Sequence, residues 1–267
     1  MHSNEWLVTN KRRPLVISHG DESGYGLYPG NTMLYLRKMV ELGVDALEMD
    51  LNLTADGHLV LMHDGQLERT TDGRGAVVDK TLAELRRLNA AYNWSRDGHT
   101  FPYRDDPQCP VTIDEVFAEF PETPMIIELK NNDPRAARSL AQSVARAGRA
   151  SRVVVSSFHL NVIREFRRLV PEAATGATLP EALLFYLAQC LHLERLLKPA
   201  YTTMQLPERY YGLRVYTRRF VAAARHLGLH ISVWTVDDVE NMENYIDLGL
   251  DGVVTNRPDR LLSLLGA

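Results

Sequence analysis

At 267 residues, with 45% hydrophobic and 24% charged residues, the sequence has an ordinary globular composition and suits one barrel-sized domain or two small ones. Its formal net charge of −4 argues against a general nucleic-acid binder, which needs a basic footprint to displace counterions, and the two cysteines, Cys109 and Cys190, are too few for a disulfide framework and lack metal-ligand spacing. No run reaches the roughly 18 apolar residues of a membrane span, and the N-terminal MHSNEWLVTNKRRPLV lacks the apolar core of a signal peptide, so a cytoplasmic, non-spanning protein is expected.

Leu15–Ser18 is a short, continuous apolar run of the kind that buried parallel strands show, and it delivers His19 at its C-terminal end. After a glycine-rich loop, Asn31-Thr32 caps a helix to about Leu42, with Met33, Leu36, Met39 and Val40 as its apolar stripe and Gly43 as its stop. Strict alternation from Leu47 puts Glu48 and Asp50 on one face of a strand and Leu47, Met49 and Leu51 on the other. Asp56-Gly57 is a two-residue hairpin signal; it predicts a returning strand over Leu59–Met62, with Ala55 opposite His58 and Asp50 opposite His63.

Residues 65–112 form a long, mostly polar insertion that reads as a lid or cap, with one helix near Leu82–Leu88 behind a Thr81–Glu84 capping box. A helix over Ile113–Phe120 precedes a buried strand, Met125–Lys130, whose end carries Glu128 and Lys130 on one face. Alternation is then regular: helix Pro134–Ala147, strand Arg152–Ser156, helix Asn161–Leu169, weak strand Thr175–Leu179, helix Glu181–Leu197 and strand Thr202–Leu206. Helix Val215–Leu227, strand His230–Val236, helix Asp238–Leu248, strand Gly252–Thr255 and a helix after Pro258 complete it. Helix Glu181–Leu197 is apolar over more than one face, which ordinary barrel packing explains and which would also suit lipid, a partner or an apolar substrate tail.

Nine strand-like runs, two of them arms of the hairpin, predict a (β/α)₈ barrel. The competing doubly wound sheet needs a glycine-rich phosphate turn after the first strand, and His19-Gly20-Asp21 does not supply it. In a barrel, strand C-terminal ends share one mouth, which would collect His19, Glu48, Asp50, His63, Glu128, Lys130 and Trp234. Three carboxylates suit one hard divalent cation, Mg²⁺ or Ca²⁺, Lys130 offers positive charge to a phosphate, and two imidazoles can divide the proton transfers. Each residue alone has a packing explanation; polar chemistry at several strand exits together marks an active site.

The order His19-Gly20, Asn31-Thr32, Gly43-Val44-Asp45-Ala46-Leu47-Glu48-Met49-Asp50, Leu53-Thr54-Ala55-Asp56-Gly57, His63-Asp64 and Leu67-Glu68-Arg69-Thr70-Thr71 resembles the glycerophosphodiester phosphodiesterases. Glu128-Leu129-Lys130, Ser157-Phe158, Trp234-Thr235-Val236 and Asp251-Gly252-Val253-Val254-Thr255 extend the likeness over nearly the whole chain. The resemblance implies a phospholipase C-like (β/α)₈ barrel with an insertion after His63-Asp64, acting on a small-molecule glycerophosphodiester to release glycerol 3-phosphate and an alcohol. By the same resemblance Glu48, Asp50 and Glu128 are the metal ligands, His19 and His63 the general acid/base pair, Lys130 the phosphate contact and Trp234 a wall of the cleft. The family's His-Arg-Gly and Glu-Asn-Thr read His19-Gly20-Asp21 and Gly30-Asn31-Thr32 here, and its Thr-Asp reads Thr255-Asn256. Arg69 is the candidate for the missing positive charge, and Asp21 or Glu22 for the missing acid. Two alternatives stand beside hydrolysis of small glycerophosphodiesters: cleavage of lysophospholipids, with peripheral membrane contact, and a barrel that binds phosphodiesters without hydrolysing them.

Overall fold

The computed structural model describes residues 4–7, 13–20 and 24–266; Asp21 and Glu22 lie outside the described residues. The strands, in chain order, are β1 (Leu15–Ser18), β2 (Ala46–Leu53), β3 (Leu59–Leu61), β4 (Met125–Leu129), β5 (Val153–Ser156), β6 (Ala174–Thr175), β7 (Thr203–Pro207), β8 (Arg209–Tyr210), β9 (Leu213–Arg214), β10 (His230–Trp234) and β11 (Gly252–Thr255). Eight of them pair in parallel in the order β6-β5-β4-β2-β1-β11-β10-β7, and a parallel bridge between Gly176 and Thr203 joins the two ends. This is a (β/α)₈ barrel. Its outer ring is α1 (Met33–Leu42), α3 (Ile113–Glu119), α4 (Pro134–Ala147), α5 (Leu160–Leu169), α6 (Leu179–Cys190), α7 (Arg218–His226), α8 (Val239–Leu248) and α9 (Pro258–Leu265), with the short α2 (Leu82–Leu85) in the 65–112 insertion.

Alternation sorts each strand between two cores. Leu47, Met49 and Leu51 pack outward with Ile127, Val153 and Val155 beneath α1, α4 and α5. Leu15, Ile17, Ala46, Ile126, Val154, Ala174 and Val254 form the separate core inside the barrel. Glu48 and Asp50 follow Ala46 in the same parity, so the strand that buries an alanine at the bottom must present two carboxylates above it. At the floor Gly252 leaves room that a Cβ would not: one built there would stand 2.7 Å from Ser232 Oγ and 2.9 Å from Ile17 Cδ1.

Several boundaries differ from the sequence expectation, each for a local reason. The hairpin pairs Leu51 with Leu61 and Leu53 with Leu59, so Asp50 meets Met62 rather than His63. The turn is the cause: Thr54, not Ala55, faces His58, and the three-residue loop places Gly57 at φ +86°. On α1 the buried residues are Tyr35, Leu36 and Met39, while Val40 is exposed. Helix α2 is a single turn behind its capping box. Strand β6 lies at Ala174–Thr175 because a Thr178–Glu181 capping box starts α6 at Leu179. Helix α6 stops at Cys190, with His192 in the left-handed region, and residues beyond it form a short 3₁₀ turn at Glu194–Leu196. Thr217 caps α7, which leaves Val215 and Tyr216 outside the helix. The β8–β9 hairpin was not expected; Tyr211 and Gly212, at φ +47° and +81°, make its two-residue turn.

Candidate active site

The C-terminal ends of the strands open into a cavity of about 560 Å³ that is lined by His19, Glu48, Asp50, His63, Glu128, Lys130 and Trp234 together with a broad apolar wall. Ligand atoms of Glu48, Asp50 and Glu128 all lie within 4.8 Å of one another. Strand register produces this: β2 pairs with β4 so that Asp50 stands beside Glu128, and Glu48 is two residues below Asp50 on the same face.

Electrostatically the cluster is strained in the absence of a cation. Burial, then the charge of Asp50, pushes the Glu48 carboxyl well above its usual value, against the pull of the Gly20 N–H that donates to Oε2 at 2.9 Å. Burial likewise raises Glu128, opposed by the Lys130 ammonium 3.1 Å from its Oε1. Lys130 also stands 3.4 Å from Asp50 Oδ1; burial lowers its value, but Asp50 and Glu128 outweigh that and hold it above the ordinary lysine range. Three hard oxygen donors that repel one another in a buried pocket fit a hard divalent cation.

Asn31 carries more than its expected capping role. Thr32 caps α1 alone, accepting from the Tyr35 N–H at 3.1 Å. Asn31, at φ +55°, donates from Nδ2 to Asp50 Oδ2 and to Gly20 O and accepts from the Asp50 N–H, each at 3.1 Å. Its amide also crowds Gly20, where a Cβ would lie 3.1 Å from both Asn31 Nδ2 and Oδ1. A side chain in place of Gly20 therefore requires Asn31 to move.

The two histidines have different partners. His19 Nδ1 is 2.6 Å from Asn256 Oδ1, and Asn256 Nδ2 donates to Asp237 Oδ2 at 2.8 Å. Asp237 also accepts from the Asn256 N–H at 2.8 Å and from Thr255 Oγ1 at 3.0 Å. Because a carboxylate only accepts, Asp237 orients the amide, its oxygen faces His19, and the ring carries its proton on Nδ1. His63 Nδ1 instead meets the Asp64 carboxylate at 2.7 Å, and Asp64 Oδ2 accepts from Arg69 Nε. The Arg69 hydrogen bond is the main reason the Asp64 carboxyl sits at about 2. Arg69 is not among the residues that line the cavity, and neither is any other residue of the 65–112 segment. Trp234 lines the cavity with its Nε1 tied to Gln205 O at 2.9 Å.

Sequence reasoning passed over Asn256 as a catalytic partner, along with Asp237, and read Asn31 as a cap. It read the apolar face of helix Glu181–Leu197, which brings Leu183 and Tyr186 to the cavity, but passed over Tyr210 and Leu213, which complete its apolar side. The β8–β9 hairpin, which supplies Tyr210 and Leu213, gave only a Tyr-Gly turn. Among the described residues, no helix is long and apolar enough to cross a membrane.

Comparison with known proteins agrees with this geometry. The model of the glycerophosphoryl diester phosphodiesterase family matches residues 24–260. The chain is 31% identical over 260 residues to a glycerophosphodiester phosphodiesterase of Caldanaerobacter subterraneus subsp. tengcongensis, covering 95% of this chain and 98% of the relative. Its fold is similar to that of the glycerophosphoryl diester phosphodiesterase domain of an uncharacterized Mycobacterium tuberculosis protein, with a TM-score of 0.81 at 21% identity over 95% of this chain and 99% of that one. It is also similar to an Oleispira antarctica phosphodiesterase solved in complex with the product sn-glycerol-3-phosphate, with a TM-score of 0.74 at 22% identity over 96% and 98% of the two chains.

Proposed function

The chain belongs to the glycerophosphoryl diester phosphodiesterase family, and from that premise we propose that it is a metal-dependent hydrolase that cleaves glycerophosphodiesters to glycerol 3-phosphate and an alcohol by paired histidine catalysis. The observation that carries this reading is the buried cluster of Glu48, Asp50 and Glu128 in the same cavity as His19, His63 and Lys130. Those three carboxylates would hold Mg²⁺ or Ca²⁺. When bound, such an ion supplies neutralising charge for the phosphodiester. Lys130 adds a fixed ammonium for a phosphoryl oxygen. His19, with its proton held on Nδ1 by Asn256, offers Nε2 to take the proton of the attacking water. His63, with a carboxylate behind Nδ1, suits the ring that carries a proton and gives it to the leaving alkoxide. Trp234 forms a wall of the substrate cleft. Residues 1–267 act as one domain, in which the 65–112 segment serves as a buttress: Arg69 reaches the site by holding Asp64, which holds His63.

Purified protein with Mg²⁺ or Ca²⁺ should release glycerol 3-phosphate from glycerophosphoethanolamine, and His19→Ala or His63→Ala should lower kcat by about 10²–10⁴-fold. Undiminished turnover in both variants overturns the acid/base assignment. Tight binding of cation and diester with no product overturns hydrolysis.

A further inference from the structure

A small glycerophosphodiester is polar along its whole length, and its hydroxyl groups need hydrogen-bond partners when they leave water. One side of this cavity offers few beyond the hydroxyls of Tyr186 and Tyr210. From the acidic cluster outward the wall runs through Trp234, Leu206, Tyr186, Leu183, Tyr210 and Leu213, contributed by β10, β7, α6 and the β8–β9 hairpin. The wall reaches the surface at Leu183 and Leu213, which line the cavity and are 42% and 62% exposed. Leu184 and Leu187 on α6 and Leu191 at its C-cap are also 58%, 60% and 67% exposed. Barrel packing accounts for Phe185, which is fully buried on the same helix, but not for leucines that are more than half exposed. An apolar wall that lines a reaction centre marks the path of an apolar part of the ligand.

We propose that the preferred substrate is a single-chain glycerophospholipid, its phosphodiester at the Glu48–Asp50–Glu128 cluster and its acyl chain lying along the Leu183–Tyr186–Leu213 wall. This rests on the hydrolytic reading above and specifies its substrate class. In the reaction a water oxygen forms a bond to phosphorus as the bond from phosphorus to the head-group alcohol oxygen breaks. The water gives up one proton, the alcohol oxygen takes one, and the products are 1-acylglycerol 3-phosphate and the free alcohol. No oxidant or second substrate is needed.

The test compares glycerophosphocholine with 1-hexanoyl, 1-decanoyl and 1-tetradecanoyl glycerophosphocholine, all kept below their micelle concentrations, so that each lipid is met as a single molecule. Choline release should give a kcat/KM that climbs with chain length, by up to about fourfold per methylene that is fully buried, and that exceeds the value for glycerophosphocholine at least tenfold. In Leu183→Glu and in Leu213→Glu the ratio of acyl to deacylated turnover should collapse by at least tenfold. The ratio is taken within each variant, so a folding defect that lowers both activities does not imitate the result, and Leu213 is exposed enough to be replaced without disturbing the core. A flat chain-length series, or a ratio unchanged in both variants, overturns the proposal while leaving glycerophosphodiester hydrolysis intact. Turnover of neither substrate class overturns both readings together.

Discussion

Each histidine of the site is defined by the atom behind it. Asn256 is neutral, and it is held by Asp237 so that only its oxygen faces His19. Replacing it by leucine leaves the ring free to adopt the other tautomer, which would put the proton on the nitrogen that must accept one. Asn256→Leu should therefore lower kcat for glycerophosphodiesters by about tenfold or more, within the range that acid/base catalysis contributes, and leave KM nearly unchanged. Steady-state kinetics, with ring ¹⁵N shifts to read the His19 tautomer, decide it; an unchanged kcat together with an unchanged tautomer sinks the argument. Glu48, Asp50, Glu128 and Lys130 were legible in the sequence because strand parity alone sends them inward. Asn256 was legible only as a departure from a motif. Its role depends on which of its amide atoms Asp237 engages, and sequence does not encode that orientation.

Elements were legible wherever a cap or glycine fixed their ends, as at α4, which runs from the Asp133 cap to Gly148, and at β11, where the register with β1 covers all four residues. Their existence was legible but their bounds were not where two residues suffice for a strand. Strand β6 is that case, and it closes the barrel through one bridge to β7 plus the hydrogen bonds Ala177 N–H to Thr203 O at 2.9 Å and Thr202 N–H to Thr175 O at 3.0 Å. Arg167 of α5 reinforces this seam from outside, donating to Thr175 Oγ1 at 2.9 Å and to Gly176 O at 3.0 Å while it pairs with Glu181 at 2.6 Å. Both side chains of that pair are mostly shielded, at 15% and 20% exposure. Arg167→Ala strips a partly buried carboxylate and a backbone carbonyl of their partner, and should cost about 2–3 kcal/mol in urea unfolding. Arg168→Ala, on the wet side of the same helix, should stay within about 0.5 kcal/mol. Amide exchange should quicken at Thr202 and Ala177 in the first variant only; equal losses in the two variants would show that the seam does not depend on Arg167.

At the scale of the molecule, the barrel concentrates charge that it cannot solvate, and the pH dependence of stability should report it. Glu48 and Glu128 have values raised by burial, so in the cation-free protein their ionised forms destabilise the fold at neutral pH, and that cost is relieved as pH falls through the raised values. A divalent cation relieves the same cost, competing with the protons. His230, at the opposite end of the barrel, works against this trend: burial depresses it to about 4, opposed by Asp251, so the stability it confers is present above its unfolded value and is lost between about pH 6.5 and 4. Total stability therefore mixes slopes of opposite sign, and the increment in Tm caused by Mg²⁺ or Ca²⁺ isolates the first, since it reads only the groups that the ion meets. That increment should be several degrees at pH 7.5 and should shrink toward zero by pH 5, and Glu48→Gln should both raise the cation-free Tm at pH 7.5 and shrink the increment. A cation increment that is the same at both pH values would mean that the ion binds elsewhere than at these three carboxylates.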